Sequence, residues 1–97
     1  MPAAEWPFDQ GPRVAAITTR QVLSDGLPIL RVTHYSSDHD WAFVCGTTNA
    51  TEDARVIAMQ EVLDIDPTLR EIADLPPGWT AWRENVGGVW HRVRSAR

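Results

Sequence analysis

From Asp74 to Arg94 the chain reads DLPPGWTAWRENVGGVWHRVR, and few folds can hold such a segment. Pro76-Pro77-Gly78 ends any helix that precedes it. Two short runs follow, residues 79–83 (WTAWR) and 89–93 (VWHRV), both rich in the aromatic and β-branched residues that suit a pleated surface. Between them, Glu84-Asn85-Val86-Gly87-Gly88 supplies Asn and Gly, which tolerate positive φ. The pattern predicts a β-hairpin with a five-residue loop. Three of the five tryptophans lie here, so the core is expected to form against this hairpin.

Earlier in the chain, residues 1–13 are proline-rich and unpatterned and read as a loose arm, with Trp6 or Phe8 able to pin it. Residues 14–97 read as a single domain. Val14 to Thr19 is a short β-prone run, and Ser24-Asp25-Gly26 punctuates the turn after it. Leu27 to Tyr35 alternates as a strand, with Leu30, Val32 and His34 on one side and Ile29, Arg31, Thr33 and Tyr35 on the other. After the polar turn 36–40, Trp41 to Cys45 is apolar on both faces, as a central, well-covered strand would be. The two runs predict an antiparallel hairpin.

The stretch 51–65 has two readings. Val56, Met59 and Leu63 fall near helical spacing, and Asn49 with Glu52 resembles a capping box. Arg55-Val56-Ile57 is also β-prone, so the alternative is a short strand at 55–59 followed by a helical turn. Asp66-Pro67 is firmer: Asp as N-cap, Pro at the first helical position, and a helix running to about Asp74 that buries Leu69 and Ile72. The fold class is therefore α+β, a small antiparallel sheet of about five strands with one or two short helices packed on it.

Ninety-seven residues suffice for one core without staples. One cysteine excludes an internal disulfide and a Cys-rich zinc site. The N-terminus lacks the basic start and apolar centre of a signal peptide, so a cytoplasmic location is expected. The net charge of −4 is uneven. Residues 52–74 carry seven acids against Arg55 and Arg70, a balance of −5, whereas residues 75–97 balance at +3. This acidity disfavours nucleic acid and anionic membranes as partners and suits a basic protein. A solvated helical face explains the acids equally simply.

Residues with chemistry in them are few. Cys45 needs a base, His34 or His91, to act as a nucleophile, but a buried free cysteine is an ordinary core residue. His34, Asp38, His39 and Asp40 offer metal-ligating atoms in a spacing that a polar turn explains as well. Asp64 and Asp66 sit between two helical segments, where capping accounts for Asp66. No phosphate loop is present, since Gly87-Gly88 precedes no helix. These readings predict no catalytic residue, metal or cofactor. Trp79, Trp82 and Trp90 with Arg83 and Arg92 form a different constellation. Paired strands would set Trp and Arg, the residues most enriched at interface hot spots, on a common surface. The opposite parity of 79 and 82 turns one of those tryptophans away from the other.

Ala16-Ile17-Thr18-Thr19, Trp41-Ala42-Phe43-Val44-Cys45-Gly46, Asp66-Pro67, and Leu75-Pro76-Pro77-Gly78 through Ala81-Trp82-Arg83 to Trp90 resemble the bacterial family known as immunity protein 33, formerly a domain of unknown function. The resemblance spans roughly residues 14–93. It implies an intracellular protein that binds and neutralises a toxin, without catalysis. The expected function is thus a non-enzymatic protein-binding module, with a toxin-like protein or a second copy of the chain (a homodimer) as partner. Its expected contact residues are Glu61, Asp64 and Glu71 on the acidic face and Trp79, Trp82, Arg83, Trp90 and Arg92 on the hairpin. The rival expectation is an accessory domain that self-associates. A small metal- or thiol-dependent enzyme ranks behind both.

Overall fold

A computed structural model describes residues 6–46 and 51–95. The strands β1 (Ala15–Thr19), β2 (Arg31–His34), β3 (Trp41–Val44), β4 (Ala54–Ala58), β5 (Trp79–Trp82) and β6 (His91–Arg94) make one six-stranded sheet. Their spatial order is β4-β1-β3-β2-β5-β6. Every neighbouring pair is antiparallel except β1 with β3. Three short helices pack on the sheet: α1 (Arg20–Leu23), α2 (Met59–Ile65) and a 3₁₀ helix, Pro67–Ile72. None is long and apolar enough to cross a membrane.

The sixth strand is β4. Its register runs along β1 from Ala15↔Ala58 to Thr19↔Ala54, so the β-prone reading of Arg55-Val56-Ile57 prevails over a helix from residue 51. Only a 3₁₀ turn, Thr51–Asp53, precedes it. Asn49, the proposed cap, lies outside the described residues. Helix α2 begins at Met59 instead, where the Ala58 N–H donates to Glu61 Oε1 at 2.7 Å. Ala58 has no side-chain acceptor, so only this half of a capping box forms.

After α2 the chain tightens. Asp66 caps the next helix, accepting from the Thr68 amide (3.0 Å) and the Thr68 hydroxyl (2.6 Å) around Pro67. Leu69, Ile72 and Leu75 are all buried. Their spacing of three matches the 3.0 residues per turn of a 3₁₀ helix rather than the 3.6 of an α-helix. The helix expected to run to about Asp74 is a 3₁₀ helix that ends at Ile72.

The core does not form against the C-terminal hairpin, contrary to expectation. It is centred on β3, third in the sheet, where Trp41 and Phe43 are fully buried and stacked at 5.8 Å. Val22, Met59, Val62, Leu63, Leu69 and Ile72 of the helices pack into the same cluster, as does Phe8 from the segment before β1. Phe8 sets its edge on both rings, and Asp9 Oδ1 accepts from Trp41 Nε1 at 2.8 Å. Of the hairpin only Ala81 is part of the buried cluster, with Trp79 and Trp90 packed at its margin. Aromatic area alone misplaces the core because β5 and β6 lie at one end of the sheet, whereas β3 has at least two strands on either side.

The hairpin itself forms, in the register Trp79↔Arg94 to Trp82↔His91. Its loop spans residues 83–90, longer than the five expected, because the β5–β6 pairing ends at Trp82↔His91 while the Arg83 amide still donates to Leu30 O at 3.0 Å. The Gly88 amide donates to Asn85 O at 3.0 Å, and Gly87 holds φ 83°, the conformation that a type II turn needs at its third residue. The 27–35 run is also shorter than its alternation implies. Only Arg31–His34 joins the ladder.

Candidate interaction surface

All three helices bury their apolar residues in one cluster with Val32, Trp41 and Phe43, so they lie on one side of the sheet. The opposite side is uncovered among the described residues. Strand parity and register assign its members: Ile17 on β1, Arg31 and Thr33 on β2, Ala42 and Val44 on β3, Val56 on β4, Thr80 and Trp82 on β5, and His91 and Val93 on β6. Val56 is 71% exposed, Val93 48% and Trp82 39%, and the Trp82 and His91 rings stack at 4.3 Å. Tyr35 stands exposed beyond the end of β2.

Charge divides the same way. The chain has 13 acids, and none lies within a strand. Asp40 and Asp53 come nearest, immediately before β3 and β4. Helices and turns carry the described acids, so an otherwise acidic protein presents a sheet face whose charged or titratable strand residues are Arg31 and His91.

The structure separates the residues expected to act together. Trp79 faces the helical side, half-buried against the core, while Trp82 faces the open side. Arg92 has the opposite parity to Trp82's partner His91 and turns to the helical side. There it donates to Glu71 O (2.9 Å) and pairs with Asp74 (2.9 Å). Trp82 therefore shares no face with Arg92, whereas Trp79 and Arg92 lie together on the helical side. Glu61 is engaged by the α2 N-terminus, and Asp64 and Glu71 are exposed on the helical side.

Arg83 is not a surface residue: it is 2% exposed. Its Nε and Nη2 donate to Ile29 O at 3.2 and 2.9 Å, and Nη1 donates to Thr68 Oγ1 at 2.9 Å. Nη2 also meets Asp66 Oδ2 at 2.5 Å, and the guanidinium lies 4.3 Å over the Trp90 ring. Trp90 is thereby spent on the arginine.

Burial pushes the Asp66 carboxyl up, but the Thr68 hydroxyl and amide and the Arg83 guanidinium outweigh it and hold the group below its ordinary 3.8. A depressed folded-state value means that the unfolded chain binds the proton more readily. The resulting stability is complete well above pH 3.8 and is lost as the pH falls through the folded-state value. Urea midpoints measured from neutral to acid pH should therefore drop for the native chain and flatten for Asp66→Asn. Parallel curves would remove Asp66 from the acid transition.

The nucleophile constellation does not assemble. Cys45 and His34 lie at opposite ends of the β2–β3 ladder, about 13 Å apart at 3.3 Å per strand residue. His91 is three strands away from β3, on β6, and stacked on Trp82. His34 is buried, with its ring on Trp41 at 4.0 Å. Its Nδ1 lies 2.7 Å from Leu75 O, an acceptor, which places the ring hydrogen on Nδ1. Its Nε2 is 3.2 Å from Asp9 Oδ2 without hydrogen-bond alignment, so that approach is a near contact and not a formed bond. Asp38 Oδ1 accepts from the Asp40 amide, and His39 holds φ 62°: both belong to turn geometry. Among the described residues no three His, Cys, Asp or Glu side chains converge on a metal position.

Compared with known proteins, the chain matches no family model, no curated protein and no solved structure.

Proposed function

We propose that this protein is a non-enzymatic protein-binding module of the immunity-protein kind, neutralising a toxin-like partner through the uncovered face of its sheet. The observation that carries the reading is the stacked Trp82–His91 pair, set with Val56 and Val93 on strands that contain no acid. An exposed tryptophan on a rigid strand, flanked by aliphatic side chains, is the composition of an interface centre. Absence of acids lets an apolar or acidic partner surface approach without like-charge repulsion. The resemblance in Trp41–Gly46 and in the Gly78–Arg83 strand supports the toxin-binding role. In this reading the acidic helical side keeps the protein soluble.

Quantitative affinity capture from the native cell extract tests the proposal, comparing the native chain with Trp82→Ser and with a Glu71→Lys/Asp64→Lys variant. A stoichiometric partner that inhibits growth when expressed alone, and whose capture falls roughly tenfold or more with Trp82→Ser, supports it. Loss of that partner only in the charge-reversed variant transfers the contact to the helical side. Recovery of the bait alone, with a dimer in sedimentation, replaces the reading with self-association.

A further inference from the structure

The uncovered face contains a cavity of about 560 Å³ at the seam of β2 and β5. Arg31, Thr33, Tyr35, Thr80 and Ser95 supply side chains to its wall, with Ser36 and Ser37 at the turn. We infer that this cavity is a carboxylate-binding site with Arg31 as its cation. The inference rests on the reading of this face as the contact surface, and names what the partner inserts.

Three features argue for an anionic ligand. First, Arg31 is exposed and makes no ion pair or hydrogen bond among the described residues, in contrast to Arg20, Arg83 and Arg92. It also lines a second cavity of about 300 Å³ with its register partner Trp82, so one residue borders both the hydroxyl-lined site and the exposed aromatic. Secondly, the wall contains no carboxylate to hold a cation or to neutralise the arginine. Thirdly, the hydroxyls form a chain. Thr33 Oγ1 and Thr80 Oγ1 are 3.3 Å apart, and Thr80 Oγ1 and Ser95 Oγ are 2.9 Å apart. Three hydroxyls joined by two hydrogen bonds leave one proton to donate outward. A guanidinium beside a free hydroxyl proton presents donors to a ligand that only accepts, which is the chemistry of a carboxylate. The volume admits an acidic side chain with its adjoining backbone, or a small free carboxylic acid.

The backbone keeps the site open. Gly78 holds φ 88°, donates its amide to His34 O and accepts from the Ser95 amide, so the β2–β5–β6 seam closes without a side chain entering the space. A Cβ at Gly78 would sit 3.6 Å from Ser36 Cβ. The His34 ring is buried on the opposite side of the sheet and leaves the cavity lining to its main chain.

The test uses glutamate capped as N-acetyl and C-methylamide, with the equally capped glutamine as its neutral twin. Each is titrated into the ¹⁵N-labelled full chain and into Arg31→Met and Thr80→Val. Saturable shifts at the Thr33, Thr80 and Ser95 amides are expected with glutamate. They should be at least about tenfold weaker with glutamine or with Arg31→Met, and reduced with Thr80→Val. Indistinguishable titrations of the two probes, or unchanged binding by Arg31→Met in a variant with native amide dispersion, overturn the carboxylate site. Partner capture by Arg31→Met separates the two sources of carboxylate. A fall assigns it to the partner's side chain, and unchanged capture with intact glutamate binding assigns the site to free carboxylic acids. Capture lost with Trp82→Ser but no glutamate binding sinks this inference and leaves the contact surface standing. Glutamate binding with capture indifferent to Trp82→Ser does the reverse.

Discussion

Arg83→Met lowers the stability of this protein by about 3–5 kcal/mol, seen as a fall of about 2 M in the urea midpoint. The magnitude follows from what the substitution leaves behind. Asp66 Oδ2 faces the guanidinium at 2.5 Å, inside a pocket closed by Ile29, Thr68 and Trp90. Methionine fills most of the arginine's volume, so the cavity left is small. The carboxylate remains, stripped of its counter-charge, and Ile29 O loses two donors. Removing one member of a buried pair costs far more than the pair itself contributes. Asp66→Asn combined with Arg83→Met should accordingly cost less than the two single losses added together. An Arg83→Met loss below about 1 kcal/mol would show that the carboxylate reaches water readily and that the pair is effectively a surface one.

Arg83 also shows where the sequence was legible and where it was not. The fold class, the β2–β3 and β5–β6 hairpins and the Asp66-Pro67 helix start are local: each rests on alternation, turn residues or a cap that neighbours in sequence create. The 3₁₀ character after Pro67 has a local signal too, the spacing of three between Leu69, Ile72 and Leu75. β4 is harder, because Val56 and Met59 fit a helix as well as Val56 and Ile57 fit a strand. Its ladder with β1, some forty residues earlier, decides the matter. Arg83 is harder still. An arginine at the end of a Trp-rich strand reads as surface, and only the meeting of Ile29, Asp66 and Thr68, distant in sequence, makes it a buried hub.

The same limit applies to the candidate site. Parity in the sequence separates Trp79 from Trp82 but does not say which faces outward. That depends on the side that α2 and the 3₁₀ helix occupy. Once they lie over Trp41 and Phe43, Trp82 must face outward with Arg31 and Thr33, because Arg31↔Trp82 and Thr33↔Thr80 are register partners. The absence of acids from every strand is visible in the sequence. It becomes informative only when the strands are known to share one uncovered face.

Trp41→Ala should cost about 3–5 kcal/mol, a large share of the roughly 5–15 kcal/mol that holds an ordinary domain folded. Trp41 is wholly buried and ties together three parts of the molecule. Its ring lies parallel to Phe43 within the core and to His34 on β2, with interplanar angles of 8° and 17°. Phe8 meets it edge-on, and its Nε1 donates to Asp9, so the segment before β1 is fastened through this one side chain. Alanine removes the stacking surface and leaves a void that the flanking strands β1 and β2 cannot collapse into without breaking their ladders. Trp41→Phe separates the contributions. It retains a ring between Phe43 and His34 but loses the bond to Asp9 and part of the indole area, for an expected cost of about 1–2 kcal/mol. Far-UV dichroism in urea is the suitable measurement, because both substitutions alter tryptophan fluorescence. Equal losses for the two variants would mean that the Asp9 tether, and not the stacked core, holds the molecule together. A phenylalanine variant close to native, beside a severely destabilised alanine variant, places the stability in the ring stack.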